Sequence, residues 1–371
     1  MTTLRFGLIG AGAIARHSIR ELAQHRSVEI LAVADPNAER LAAFASAHAI
    51  PRVYADPVDL LADADVDAVY IAVPNLHHAP MARLALSAGK HTLLDKPFAL
   101  DFAAASSVAE LARRSDKVFM VGMNHRFERL AQKAKRLVTS GRLGDVYHIK
   151  AFWRRRSGIP RIGSWFGDRS IAGGGALLDI GVHMLDLALH LTDNFRPVSV
   201  TGATYTRFGN RGLGDGAWGD SERDRAVFDV EDFATAMIRL EGGLTVSLDA
   251  VWAAHQESMN ERDLIIYGTD AGLAVYSDRL FTSRAGSREL LTVQSPDAGT
   301  LPFPHASRFH HFVDVALGLE APIITLDQTL AVQKVLDAIY ESARTSREVR
   351  FESDTRPSDT AADDRPAVFS S

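Results

Sequence analysis

Two hydrophobic periods alternate along the first 125 residues. Short, nearly continuous apolar runs occupy residues 4–9, 30–34, 68–73, 91–94 and 118–121. Between several of them, apolar residues recur at helical spacing, as with Ala15, Ile19, Leu22 and Ala23. A strand that is apolar on both sides is buried on both faces, and an amphipathic helix covers one face. The pattern therefore predicts βαβ units in a parallel, doubly wound sheet. After Gly122 the character changes. A basic helical stretch over 127–140 leads into the turn Gly141-Arg142-Leu143-Gly144, and residues 145–154 alternate like a strand with one wet face. Residues 173–191 read as a long helix. Strands are predicted at 198–207, 232–240, 244–252 and 263–267, with shorter ones to about 295. The link Glu241-Gly242-Gly243 predicts an antiparallel hairpin. Helices follow over 305–319 and 326–345. The fold class expected is α/β: a doubly wound N-terminal domain over 1–125, then an α+β domain over 126–351 with a large, mostly antiparallel open sheet.

Composition narrows the functional classes. The chain has 371 residues, the length of about two domains. Apolar residues make up 46% and charged residues 23%, an ordinary globular mixture with enough apolar material for a sizeable core. There is no cysteine, so disulfides, thiol nucleophiles and Cys-ligated metals are ruled out. The net charge of −5 argues against a general grip on nucleic acid. No apolar run is long enough to suggest a membrane span, and the first residues lack the layout of an export signal. A cytoplasmic protein is expected. The tail 352–371 carries five acids and two arginines and is expected to be disordered. Residues 209–224 are rich in Gly and Asp without a period, and read as a surface excursion, a lid or an oligomer contact.

Three local patterns carry chemistry. The first is Gly10-Ala11-Gly12-Ala13-Ile14-Ala15, which follows an apolar strand and opens a helix. It fits the G-x-G-x-x-G/A fingerprint in its required context. Gly10 permits the tight turn, Gly12 lets the backbone approach a pyrophosphate, and Ala15 lets the helix sit close to the strand. The N–H groups of the helix end, at Ala13 and Ile14, then attract phosphate. Asp35, at the end of the second strand, is placed to accept hydrogen bonds from an adenosine ribose, or to cap the helix after it. A carboxylate there disfavours a 2′-phosphate and Pro36 adds no cation, so the reading leans to NAD over NADP.

The second pattern is Asp95-Lys96-Pro97, at the end of the fifth strand, where a doubly wound sheet opens its ligand crevice. Pro74-Asn75-Leu76-His77-His78 follows the fourth strand into the same crevice. The third is Gly173-Gly174-Gly175 leading to Asp179 and His183, four residues apart and so on one helix face. A carboxylate there can orient an imidazole, and the imidazole can take a proton. Asp186 lies near that face and can structure the helix. The segment from Arg154 to Phe166 offers Arg156, Arg161 and Trp165 as donors and an aromatic face for a sugar ring; equally, it reads as a solvated basic loop anchored by Trp165. Arg126 and His255 are further candidates. His305, His310 and His311 read as ordinary helix residues. No close His/Asp/Glu cluster has ligand spacing, so no metal is expected.

Taken together, these motifs resemble the Gfo/Idh/MocA family, the glucose-fructose oxidoreductase and inositol dehydrogenase relatives, from Phe6 to about Phe351. The usual tripeptide of that family begins with Glu, where this chain has Asp95. The resemblance implies NAD as cofactor, held by Gly10, Gly12, Ala13, Ile14, Asp35, Pro74, Asn75, His78, Asp95 and Lys96. It implies that Lys96, Asp179 and His183 are catalytic. His183 would deprotonate a substrate hydroxyl, Asp179 would support His183, and Lys96 would hold the substrate oxygen. The substrate implied is a cyclic polyol, sugar or glycoside, met also by Arg126, Arg156, Arg161 and Trp165. A homodimer or homotetramer is implied, with no nucleic-acid or membrane partner. Two other readings stand beside this one: transient use of tightly bound NAD for glycoside cleavage or epimerisation, and a non-catalytic dinucleotide sensor. The intact Lys96, Asp179 and His183 speak against the sensor.

Overall fold

The computed structural model describes residues 3–216, 227–283, 290–294, 303 and 306–352. Among these, fifteen strands form two sheets. The first sheet contains β1 (Leu4–Ile9), β2 (Val28–Ala34), β3 (Arg52–Tyr54), β4 (Ala68–Ile71), β5 (His91–Leu94) and β6 (Phe119–Val121). Its order is β3-β2-β1-β4-β5-β6, and every pair is parallel. The order reverses at β1, and the crevice beside its C-terminal end is where such sheets take ligands. Strand β3 escapes the sequence pattern because it is three residues long and only partly buried.

The second sheet contains β7 (Val146–Arg155), β8 (Pro197–Tyr205), β9 (Phe233–Leu240), β10 (Thr245–Val251), β11 (Asn260–Gly268), β12 (Gly272–Ala274), β13 (Arg279–Ser283), β14 (Leu290–Gln294) and β15 (Val349–Arg350). Its order is β14-β13-β12-β11-β7-β10-β9-β8-β15. Only the β7–β10 pair is parallel, so the sheet is mostly antiparallel, and β9 and β10 form the expected hairpin.

The helix Val182–Thr192 packs against β7 and is buried along its length. The stretch Arg169–Thr192 is long and apolar enough to cross a bilayer, yet 83% of its most apolar window is buried inside the protein, so its apolarity serves the core. The predicted helix over 173–191 is broken: a short helix ends at Ala172, and a five-residue π turn, Leu177–Gly181, precedes Val182. A π turn inside a helix often marks a functional site, and Asp179 lies in this one. The part of the irregular 209–224 segment that is described begins with a turn at Gly209–Arg211. The carbonyl of Gly214 then accepts from the N–H groups of Gly158 and Ile159. The rest of that segment, His305 and the tail beyond residue 352 lie outside the described residues.

Candidate active site

At the C-terminal end of β1 the chain turns through Gly10 with φ +100, and a β-carbon there would stand 2.3 Å from the Ala72 carbonyl oxygen. Only glycine fits that close approach to the neighbouring strand. Gly12 caps the helix Ala13–Leu22 without any side-chain acceptor, and no atom lies within 4 Å of where its β-carbon would be. Ala13 and Ile14 are exposed beside it. An uncapped helix end facing open space suits a pyrophosphate, and the residues present fit a dinucleotide.

Asp35, just past β2 beside this turn, is 3% exposed. Its Oδ2 accepts from the Ala11 N–H at 2.9 Å, and its Oδ1 from the Asn37 N–H at 2.9 Å. Arg40 adds a fork, Nε to Oδ2 at 2.9 Å and Nη2 to Oδ1 at 2.7 Å. Burial alone would raise this carboxyl, but Arg40 and the two N–H groups hold it below its ordinary range. The helix that follows is capped by Asn37, not by Asp35.

Asp95 and Lys96 are neighbours with opposite surroundings. Asp95 is buried and accepts from the Lys96 N–H, the Tyr70 hydroxyl and both Nη atoms of Arg308. The Asp95 carboxylate is spent on an internal ion pair that anchors the strand end. Lys96 reaches outward. Its Nζ donates to the Asp179 carbonyl at 2.7 Å and to Asp179 Oδ1 at 2.9 Å. His78 is also internal, its ring nitrogens 2.6 and 2.9 Å from the carbonyls of Pro97 and Val73. Asn75 donates to the Ala172 carbonyl at 2.8 Å, tying the β4 loop to the segment that leads into Asp179, and Pro74 beside it is half-buried.

Asp179 and His183 share a face but not a hydrogen bond. Asp179 Oδ2 accepts from Trp252 Nε1 at 2.8 Å, while its Oδ1 takes Lys96. The expectation that Asp179 orients His183 is thus corrected: the carboxylate is consumed by Lys96 and Trp252. Burial works against the Asp179 charge, yet Lys96, Arg155 and Trp252 keep it below the usual carboxylate range. His183 is 8% exposed, and its Nδ1 is buried without a hydrogen-bond partner. Burial pushes its pKa well below the ordinary histidine value, and the neighbouring His125, Lys96, Arg308 and Arg262 push the same way. These effects hold the imidazole in its neutral form. The π turn is fixed from far along the chain: Glu231 Oε1 accepts from the N–H groups of Gly175 and Leu177, both at 2.9 Å, and from the Tyr340 hydroxyl at 2.8 Å.

Several residues around this group carried no local signal. The His125 ring lies 4.3 Å from that of His183, and Tyr276, Arg262 and Glu128 surround its Nδ1. Trp153 and Arg155 come from β7, Arg262 from β11 and Trp252 from just beyond β10. Of the expected substrate residues, Arg126 is corrected: it is 0% exposed and bound by Asp186, the Ile323 carbonyl and Gln328, a core ion pair that stiffens the helix of His183. Arg156 and Arg161 are exposed. Trp165 stacks on Phe166 at 3.9 Å, and Phe166 packs against a cluster containing Ile180 and Trp252, so the loop is anchored beside the π turn. His255 is exposed, with Phe208 against its ring.

Comparison with known proteins agrees with this geometry. Residues 4–123 match a family model described as an oxidoreductase family with an NAD-binding Rossmann fold, and residues 131–274 match the GFO/IDH/MocA C-terminal domain. The chain is similar to D-glucoside 3-dehydrogenase of Escherichia coli, at 28% identity over 349 residues, covering 94% of this chain and 97% of that protein. It is similar to a putative UDP-kanosamine synthase oxidoreductase subunit of Amycolatopsis mediterranei, at 34% identity, covering 68% and 70%. Among solved structures, levoglucosan dehydrogenase in complex with NADH and levoglucosan superposes with a TM-score of 0.78 at 25% identity, covering 94% of this chain and 99% of that one. The cofactor-binding half, the second sheet and these matches together show that the chain belongs to the Gfo/Idh/MocA family of NAD-binding oxidoreductases.

Proposed function

We propose that this chain oxidises a secondary hydroxyl of a cyclic sugar, polyol or glycoside, with His183 as the base. The reading also divides the chain near residue 125 into a cofactor half and a substrate half. The observation that carries it is the meeting of Lys96, from the end of β5, with Asp179 and His183 at the seam of the two sheets. NAD, when bound, supplies the hydride acceptor. The residues supply position and proton transfer. His183, kept neutral by burial, takes the hydroxyl proton. Lys96 spends two donors on Asp179 and has a third N–H for the substrate oxygen. Asp179 holds Lys96 in place and is itself held by Trp252. Support for a sugar ring comes from the relatives named for a glucoside and for levoglucosan.

The test is a panel of inositols, aldoses, uronates, anhydrosugars and glycosides incubated with NAD, with reduced nicotinamide followed by absorbance. His183→Ala should lower turnover on the best substrate by roughly 10²–10⁴-fold while NAD affinity stays the same. A silent panel, or a variant with full turnover and an unchanged pH profile, overturns the reading.

A further inference from the structure

The sheet face that closes the site carries more positive charge than proton transfer needs. Trp153 and Arg155 stand two residues apart on β7 and so project to the same side. Arg262 is paired directly opposite Trp153 on β11. The guanidinium carbons of Arg155 and Arg262 lie 4.7 and 5.0 Å from the centre of the Trp153 indole. The rings of His125 and His183 lie 5.6 and 6.2 Å from the same indole. One aromatic plate therefore connects both arginines to the base.

Arg155 is built into this place. Its stem packs on Gly158, where any β-carbon would stand 2.3 Å from the arginine Cδ. Its Nη1 donates to the Gly158 carbonyl at 3.3 Å, and its guanidinium stacks on Trp153. Its neighbours have counter-charges. Lys96 has Asp179, Arg308 has Asp95, Arg154 has Glu261 at 3.3 Å, and Arg262 has Glu128 at 3.5 Å. Among the described residues, no carboxylate pairs with Arg155. It is partly buried and burial works against its charge, yet it faces the Asp179 side of the site. A half-buried cation that only feels Asp179 at a distance, while Lys96 holds that carboxylate directly, is unfavourable until a second anion joins it. A single excess positive charge matches a carboxylate, whereas a phosphate dianion would leave a negative charge unanswered. A guanidinium fork also matches the two oxygens of a carboxylate.

We propose that Arg155, stacked on Trp153 and flanked by Arg262, is a carboxylate subsite, and that the substrate is a sugar acid of the uronate class or its glycoside. This rests on the hydroxyl-dehydrogenase reading above. The carboxylate seats on Arg155 while a secondary hydroxyl of the same ring meets His183.

The experiment titrates the NADH-loaded enzyme calorimetrically with methyl β-D-glucuronide and with methyl β-D-glucoside, and measures turnover of both with NAD. The wild type should bind the glucuronide at least tenfold more tightly. Arg155→Gln should bring the ratio of the two affinities close to one, and Arg155→Lys, which keeps the charge without the fork, should retain part of it. Equal binding of the two probes, binding of neither, or an unchanged ratio in Arg155→Gln overturns the subsite. If Arg155→Gln fails to fold, the wild-type ratio and Arg155→Lys decide. A glucuronide preference without hydride transfer from either probe sinks the dehydrogenase reading and leaves the subsite standing. Turnover of the glucoside without any glucuronide preference does the reverse.

Discussion

The two sheets present functional groups in different ways. Strands β1, β4 and β5 are buried almost throughout, with helices on both faces, and offer chemistry only where they end: Gly10, Pro74 and Lys96. Strands β7, β10 and β11 bury one face under the helix of His183 at Ile149, Ala151, Leu264 and Ile266, and the same face goes on to present Trp153, Arg155 and Arg262 at its half-buried end. A parallel sheet coated on both sides is open at one edge, which suits a long cofactor lying across strand ends. Beside the N-terminal end of the helix Val182–Thr192, where Trp153 meets His183, that covered face leaves a platform, which suits a ring-shaped ligand. Charge follows the same division. Asp95 points into the doubly wound half and is neutralised internally by Arg308, while Lys96, one residue on, points to the seam and meets Asp179.

The largest effect that can test this contrast is Arg308→Met. It leaves the Asp95 charge buried without its partner, a loss of about 3–5 kcal/mol of stability, read by chemical denaturation. The double variant with Asp95→Leu should regain much of it. A cost near zero for Arg308→Met would mean the internal pair is no anchor, and the division of charge between the halves would fail.

Acid should act next. Burial holds His125 down to about 3 and His190 to about 2. The unfolded chain binds protons to both near pH 6.5 and the folded one does not. Stability is therefore complete above that pH and falls as pH drops below it. At pH 5.5 the pair should cost together about 3 kcal/mol. His125→Gln should flatten the slope of unfolding free energy between pH 6.5 and 5; an unchanged slope would remove His125 from the account.

A smaller effect sharpens the seam itself. Trp252→Phe removes one hydrogen bond to the Asp179 carboxylate, worth about 1.5–3 kcal/mol. Lys96 should then be held less firmly, and turnover should fall by roughly tenfold with NAD affinity unaffected. Loss of NAD affinity with normal turnover would place Lys96 and Asp179 on the cofactor instead.

The smallest effect concerns the ribose end. Arg40 is a half-exposed cation on Asp35, and such pairs contribute less than about 1 kcal/mol. Arg40→Gln should raise the preference for NAD over NADP by about threefold, because it removes the cation nearest to where a 2′-phosphate would sit. Kinetics with both cofactors measure this; a shift toward NADP would contradict the role given to Arg40.

Much of this was legible in the chain because it is local. A strand, a glycine turn and a helix in succession dictate the dinucleotide end, since Gly10 answers to its own backbone geometry. Lys96 followed from standing two residues past an apolar run, and Asp179 and His183 from four-residue spacing. What only the tertiary structure decided was partnership. Asp179 takes its partners from Lys96 and Trp252, 83 and 73 positions away, rather than from His183 on its own turn. Arg126 carries the same charge as Arg155, yet Asp186 closes over it while Arg155 is left facing the site. Within one run of three arginines, strand register turns Arg155 toward Trp153, while Arg154 goes to the acids Glu261 and Asp249. A one-residue step reverses the face on which a strand side chain lies. The composition of that run is indifferent to the step, so the pairing of β7 with its neighbouring strands had to choose which arginine faces Trp153.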